Sequence, residues 1–323
     1  MKPLQSFESR LLQEFGASPS KLIFWSAFGC TSLAALVALD SLLPQSAWWL
    51  FVALSLSFGF LHGALDVMLL AREYASPRRR GWAALLYLAA VVILGAALAQ
   101  SWAIALFVLI AMSVWHFGEP YGRWGAYNLL LRVVVGGASV LLPVLLSPSA
   151  MQQIIRLLAQ DDAAQVDPDL LWIIWRVLAF SWLALLPAAL VWLAVHKFKN
   201  AAALLTEIAA VVVLNVLLSP LMAFALYFGV YHSLTHISRV FAAQNSPDLR
   251  RLLPLSVLAA SAATCCLLGL LWWYLQGTTM HVGLGSQFEY TSVLRWLVVA
   301  LAAVTLPHLV LVSRCAHWLK TPA

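Results

Sequence analysis

Five histidines fall inside long apolar stretches: His62 in "FGFLHGALD", His116 in "SVWHFGEP", His232 and His236 in "YHSLTHISR", and His308 in "TLPHLV". An imidazole left in hydrocarbon is costly unless something satisfies it. Neutral imidazole is also the commonest protein ligand for transition metals. Two of them four residues apart leave the same face of a helix, and His232 and His236 have that spacing. A single such histidine is explained by a hydrogen bond to a neighbouring helix. Five, with a spaced pair among them, point to a metal centre held by His62, His116, His232 and His236, with His308 a fifth ligand or a group behind the ligands. The other three, His196, His281 and His317, fall in loops or at a helix end.

The ligand types leave iron, copper, nickel and zinc open, with iron favoured if the chemistry uses oxygen. A neutral all-nitrogen shell without thiolate argues against a structural zinc site. Cys30, Cys265, Cys266 and Cys315 show no framework spacing and read as packing residues. Asp66 follows His62 by one turn, so its carboxylate is placed to orient an imidazole or to ligate. Glu119, at the end of the same apolar run as His116, is a solvated end residue or a second support. Phe58, Met112 and Phe228 each lie one turn from a histidine and are candidates for the wall of an apolar tunnel. Gly59 and Gly63 form a G-x-x-x-G beside His62, which suits close helix approach. Pro307 frees a backbone carbonyl next to His308. Glu207 and Asn215, eight apart, are expected on one face and within reach of Arg132 or Arg176.

The elements that must position these groups are transmembrane helices. The chain is 63% hydrophobic and 10% charged, with a mean hydropathy of +0.89. Apolar runs recur at about 22–40, 47–71, 82–99, 102–118, 127–146, 170–195, 201–218, 221–240, 254–275 and 292–313. Each is long enough to cross a hydrocarbon core of about 30 Å as a helix. Continuous apolarity, without alternation, excludes a β-barrel. The expected fold is all-α, a polytopic bundle of about ten spans in the bilayer. With both termini cytoplasmic, fifteen basic residues fall on the inner side against Arg156 alone in the outer loops. The net charge of +6 is accounted for by those inner loops, so no nucleic-acid partner is expected. Under this topology the spans beginning at 47, 102, 221 and 292 all run inward, and the five histidines lie about 15, 14, 11, 15 and 16 residues along them. At 1.5 Å rise per residue that is one layer in the cytoplasmic half.

The organisation expected is a cytoplasmic segment 1–21, one transmembrane domain 22–313 and a cytoplasmic tail 314–323, in the cell inner (plasma) membrane as a multi-pass protein. The polar first 20 residues carry no apolar core, so no cleavable signal peptide is expected. Within the loop 147–169 the stretch "MQQIIRLLA" is expected to lie on the membrane surface.

"HGALD" at 62–66, "SVWHFG" at 113–118 and "YFGVYHSLTH" at 227–236, with "LPH" at 306–308, resemble the motifs of the Brp/Blh family of bacterial and archaeal membrane β-carotene 15,15′-dioxygenases. The resemblance implies an iron-dependent enzyme cleaving the central double bond of β-carotene with O₂ into two all-trans-retinal. It implies Fe(II) on His62, His116, His232 and His236, and a retinal-binding rhodopsin as a recipient of product. Two departures, Leu61 where proline precedes "HGALD" in the family and the lack of an acidic residue three positions after Gly118, bear on substrate choice rather than on metal binding. The rival readings are a di-iron desaturase or another oxygenase acting on a different lipid, a haem-bearing membrane protein, and a transporter with a histidine and carboxylate proton relay. A desaturase needs more histidine clusters than this chain has, haem needs only facing pairs, and a transporter predicts no tightly bound metal.

Overall fold

The computed structural model describes residues 36–39, 51–55, 59–119, 127–159, 167–196, 201–242 and 287–315. Two units divide the chain, Met1–Ala47 and Trp48–Ala323. In the first, residues 36–39 are helical; every element below belongs to the second. The span expected at 254–275, most of that at 22–40, and Phe58 lie outside the described residues.

All described elements are helical: α1 (Phe60–Ala64), α2 (Asp66–Glu73), α3 (Pro77–Leu98), α4 (Trp102–Phe117), α5 (Tyr127–Leu146), α6 (Pro148–Ala159), α7 (Pro168–His196), α8 (Ala201–Leu217), α9 (Pro220–Ala225), a π-helix (Leu226–His232), α10 (Ser233–Ala242) and α11 (Gln287–Cys315). The starts follow from local chemistry. Four helices open on a proline whose fixed φ suits the first helical position and whose missing N–H is not needed there. The residue before each, Ser76, Ser147, Asp167 or Ser219, gives its carbonyl to the first helical hydrogen bond, at 2.9–3.1 Å. Ser101 opens α4 differently, its Oγ accepting from the Ile104 N–H at 3.4 Å.

Pro77–Leu98, Leu129–Leu146, Pro168–His196 and Val293–Cys315 are long and apolar enough to cross a membrane. Trp102–Phe117 and Leu204–Leu217 are shorter apolar helices. On α3 the side chains of Leu86, Val92 and Ile93 are each about two-thirds exposed, and α7 likewise exposes Val177, Val191 and Val195. Apolar surface of that extent is stable in lipid and not in water, which makes this a membrane protein.

Helix α4 packs between α5 and α11, α3 lies on α11, and α7 and α8 lie on α5. The α4–α5 contact is a backbone approach: a Cβ on Gly136 would run into the Val114 carbonyl and one on Gly118 into the Arg132 carbonyl. Arg132 stays at this crossing, donating from Nε to the Trp115 carbonyl at 2.8 Å with its guanidinium 3.6 Å from the Trp115 ring centroid. The stretch expected on the membrane surface is helix α6, and its apolar side is buried in the bundle: Met151, Ile155, Leu158 and Ala159 pack inward, and Arg295 of α11 donates to the Leu158 carbonyl at 2.7 Å. A stripe at i, i+4, i+7 and i+8 serves either fate equally, and the neighbouring helices claimed it.

Two irregularities bear on the site. Leu65 separates α1 from α2 while keeping helical angles, φ −68° and ψ −10°, and accepts from the Met68 N–H at 2.9 Å in a tightened first turn. The segment expected as a plain helix at 221–240 contains the seven-residue π-helix, closed by the Ser233 N–H to the Phe228 carbonyl. The Ser233 hydroxyl donates to that same carbonyl at 2.8 Å, five residues back. Such widened turns are frequent at functional sites.

Candidate metal centre

Each histidine reaches the centre from a different kind of position. His62 lies in the short α1, His116 in the last turn of α4, His232 at the end of the π-helix, His236 in α10, and His308 directly after Pro307 in α11. Proline at 307 cannot donate to the carbonyl of Ala303, yet α11 continues through it.

The five rings meet. From His62 the ring centroids of His236, His308, His232 and His116 lie at 4.1, 4.5, 5.2 and 5.6 Å. From His116 those of His232 and His308 lie at 4.8 and 4.9 Å. Two groups of three, His62 with His116 and His232, and His62 with His236 and His308, have ligand atoms within 4.8 Å of one another. His308 is thus as near the centre as the other four. Its Nε2 lies 2.8 Å from His62 Nε2. Two imidazole nitrogens on one ion, each at about 2.1 Å and near a right angle, would be about 3 Å apart, so this contact fits a shared ligand sphere.

Behind His308 stands Asp66, with Nδ1 of the ring 2.8 Å from Oδ1 and 3.0 Å from Oδ2. Oδ2 also accepts from the Tyr87 hydroxyl at 2.7 Å. Asp66 therefore faces the second nitrogen of His308, and the chain runs tyrosine, carboxylate, imidazole, centre. Glu119 is buried beside His116, with Oε2 3.9 Å from Nδ1, beyond hydrogen-bond range. Glu207 accepts from the Tyr227 hydroxyl at 3.1 Å, and Asn215 returns its amide to the Val211 carbonyl at 2.8 Å.

The donor set can be tested for a metal. Among the described residues both ring nitrogens of His116, and Nε2 of His232 and of His236, have no hydrogen-bond partner although buried. Buried polar atoms are normally satisfied, and each orphan costs about 1–3 kcal/mol. Asp66, only 3% exposed, also calls for positive charge nearby. A transition-metal cation would answer both demands, so the residues fit one.

On one side of the centre a cleft opens with about 580 Å³ of empty space, part of it open to the outside. Its wall joins Gly59, His62 and Gly63 to Leu109, Ser113, His116 and Phe117 of α4, Phe224 and Phe228, and Leu301, Val304, Thr305 and His308 of α11. Phe228 lines it; Met112 does not. The inward face of α4 runs through 109, 113, 116 and 117, so the position three before His116, rather than four, faces the cleft. Phe117 and Phe224 belong to the wall without having been singled out. Phe224 was signalled by spacing, since Phe224, Phe228 and His232 stand four apart; their rings stack at 5.6 and 6.4 Å, each pair 20° from parallel. Phe117 lies 4.6 Å from the His232 ring. The glycines let the walls close up: a Cβ on Gly59 would stand 2.9 Å from Cε1 of Phe228.

A family model for beta-carotene 15,15′-dioxygenase matches residues 52–315. A probable beta-carotene 15,15′-dioxygenase Blh from Halobacterium salinarum is 28% identical over 340 aligned positions, covering 92% of each chain. No solved structure matches the chain significantly.

Proposed function

The chain belongs to the β-carotene 15,15′-dioxygenase family and is a carotenoid-cleaving enzyme, and from that premise we propose that its histidine layer holds an iron ion at which the central double bond of β-carotene is cleaved. One O₂ and one β-carotene give two all-trans-retinal, one oxygen atom to each half. His62, His116, His232 and His236 are the ligands, with His308, backed by Asp66, on the same centre. The observation that carries the reading is the meeting of five imidazoles, four of them buried and several with unsatisfied nitrogens, beside one apolar cleft that His62, His116 and His308 line.

Iron, when bound, supplies the redox chemistry with O₂ that no protein side chain can. The chain's own part is placement. Phe117, Phe224 and Phe228 offer flat apolar faces against which an extended polyene can lie, and the cleft brings that surface up to the histidines. Ser113 and Thr305 contribute the hydroxyls of the wall, and Thr305 already gives its own to the Leu301 carbonyl, at 2.5 Å. The wall therefore offers the substrate little but apolar contact, which suits a hydrocarbon and excludes water from its centre. β-Carotene resides in the bilayer, so entry is sideways, between helices.

The same reading takes the chain as about ten spans with both termini cytoplasmic, in the cell inner membrane, with one transmembrane domain over 22–313 between the segments 1–21 and 314–323. Retinal leaves for a retinal-binding rhodopsin. Expression in β-carotene-producing bacteria, with retinal measured by chromatography and iron in the purified protein, tests the proposal. Retinal and iron are expected in the parent chain and neither in a His232→Ala, His236→Ala variant. Untouched β-carotene beside inserted, iron-loaded protein would overturn the substrate, and inserted protein unable to take up iron would overturn the centre.

A further inference from the structure

We propose that Tyr87 is a positioning residue for the histidine centre, acting through Asp66 to fix the imidazole of His308. The inference rests on the metal reading above. Helix α3 is the most outward-facing of the described long helices, and the neighbours of Tyr87 on it, Leu85, Leu86 and Leu88, are each more than half exposed. Against that background Tyr87 turns inward. It is partly buried against the apolar cluster that contains Met68, Leu69 and Val312, and it brings its hydroxyl to 2.7 Å from Asp66 Oδ2.

A carboxylate has no hydrogen to give, so the tyrosine hydroxyl and His308 Nδ1 both donate to it. With Oδ1 and Oδ2 both engaged, the carboxylate cannot turn without breaking a bond. The proton of His308 is thereby placed on Nδ1, and Nε2, 2.8 Å from His62 Nε2, carries the lone pair toward the centre. A carboxylate behind a ligating histidine sets its tautomer and ring orientation and strengthens it as a ligand. Here the carboxylate is itself held from a third helix, so α3, α2 and α11 are tied into one support. Tyr87 touches neither the cleft nor another histidine ring among the described contacts, and its influence has to pass through Asp66.

That route is what the experiment reads. Detergent-purified parent chain, Tyr87→Phe, Asp66→Asn and the double variant are titrated anaerobically with ferrous iron against a competing chelator. Each is also loaded with cobalt(II) for its visible absorption, whose position and intensity follow the ligand set. Each single change is expected to weaken ferrous binding about tenfold to a hundredfold and to alter the cobalt bands. The double variant should bind no more weakly than Asp66→Asn alone, because the hydroxyl has nothing left to act through. Parent-like affinity and spectrum in folded Tyr87→Phe, or losses that multiply in the double variant, would overturn the inference. Should Tyr87→Phe fail to fold, Asp66→Glu decides, since a carboxylate that can still reach His308 is expected to recover affinity relative to Asp66→Asn, and equal loss in both refutes the relay. A folded parent chain that binds no iron overturns the metal reading and this inference together; iron that depends on His116 but is indifferent to Tyr87 and Asp66 overturns this inference alone.

Discussion

The two sides of the histidine layer are built in opposite ways. Toward α4 and the π-helix lies the cleft, with aromatic rings on its wall beside His62, His116 and His308, and with ring nitrogens of His116 that no described residue satisfies. Toward α2 and α3 there is close packing: Leu65, Met68 and Leu69 are 0–1% exposed, and the polar groups among them, Asp66, Tyr87 and His308, bond to one another. On the proposed function the open side receives the substrate, and the closed side keeps the receiving groups still. A site with only the first would be loose, and one with only the second would have no room for substrate.

His62 belongs to both sides and to both candidate ligand groups. His62→Ala should therefore give the largest effect, a fall of more than about a hundredfold in iron affinity with retinal formation at background, checked by metal analysis and chromatography. Retained iron would show that the two sides do not share a centre. Next is Gly59→Leu, which drives a side chain into the Phe228 ring from the open side alone. A displacement of about 1 Å can cost about a hundredfold, so kcat/KM should fall by an amount approaching that while iron content stays unchanged. Phe228→Ala removes the middle ring of the stack and should raise KM roughly tenfold, again with iron retained; loss of iron would mean that the aromatic wall also holds the ligands in place. Glu119→Gln should be mildest, below about threefold in activity, since 3.9 Å from His116 Nδ1 is too far for a hydrogen bond.

The sequence announced the closed and open sides unequally. That His62, His116, His232, His236 and His308 come together was foreshadowed by where apolar runs begin, because a polar ring in hydrocarbon stands out. Helix starts were read later than they fall, at about 82 and 170 against Pro77 and Pro168, though a serine or aspartate before proline marks each. Tyr87 was invisible, since tyrosine in an apolar helix reads as one more aromatic and nothing local says that Asp66 lies opposite. Between Met112 and Ser113 the question is one of helical phase: residues three and four back from His116 are equally good neighbours on a bare helix, and it is Ser113 that lines the cleft. The π-helix was hidden because Leu226–His232 contains no residue that demands a widened turn, only glycine at 229, where a Cβ would stand 2.9 Å from Leu54 Cβ.

That widened turn has a consequence for how this protein can change by insertion and deletion. A π turn is an α-helix carrying one surplus residue, so removing Val230 would let the segment relax into ordinary helix without breaking it. Little would turn in consequence, because the widened turn takes up its surplus residue locally and the helix before and after it stays close to the phase of an uninterrupted α-helix. In an ordinary helix the same loss would rotate everything before it by about 100° relative to everything after it. What would change lies inside the turn: Phe228 would stand three residues before His232 in place of four, and the stacking of those two rings would be lost. The segment is therefore the place in this helix where a loss of three nucleotides costs one contact rather than the whole site.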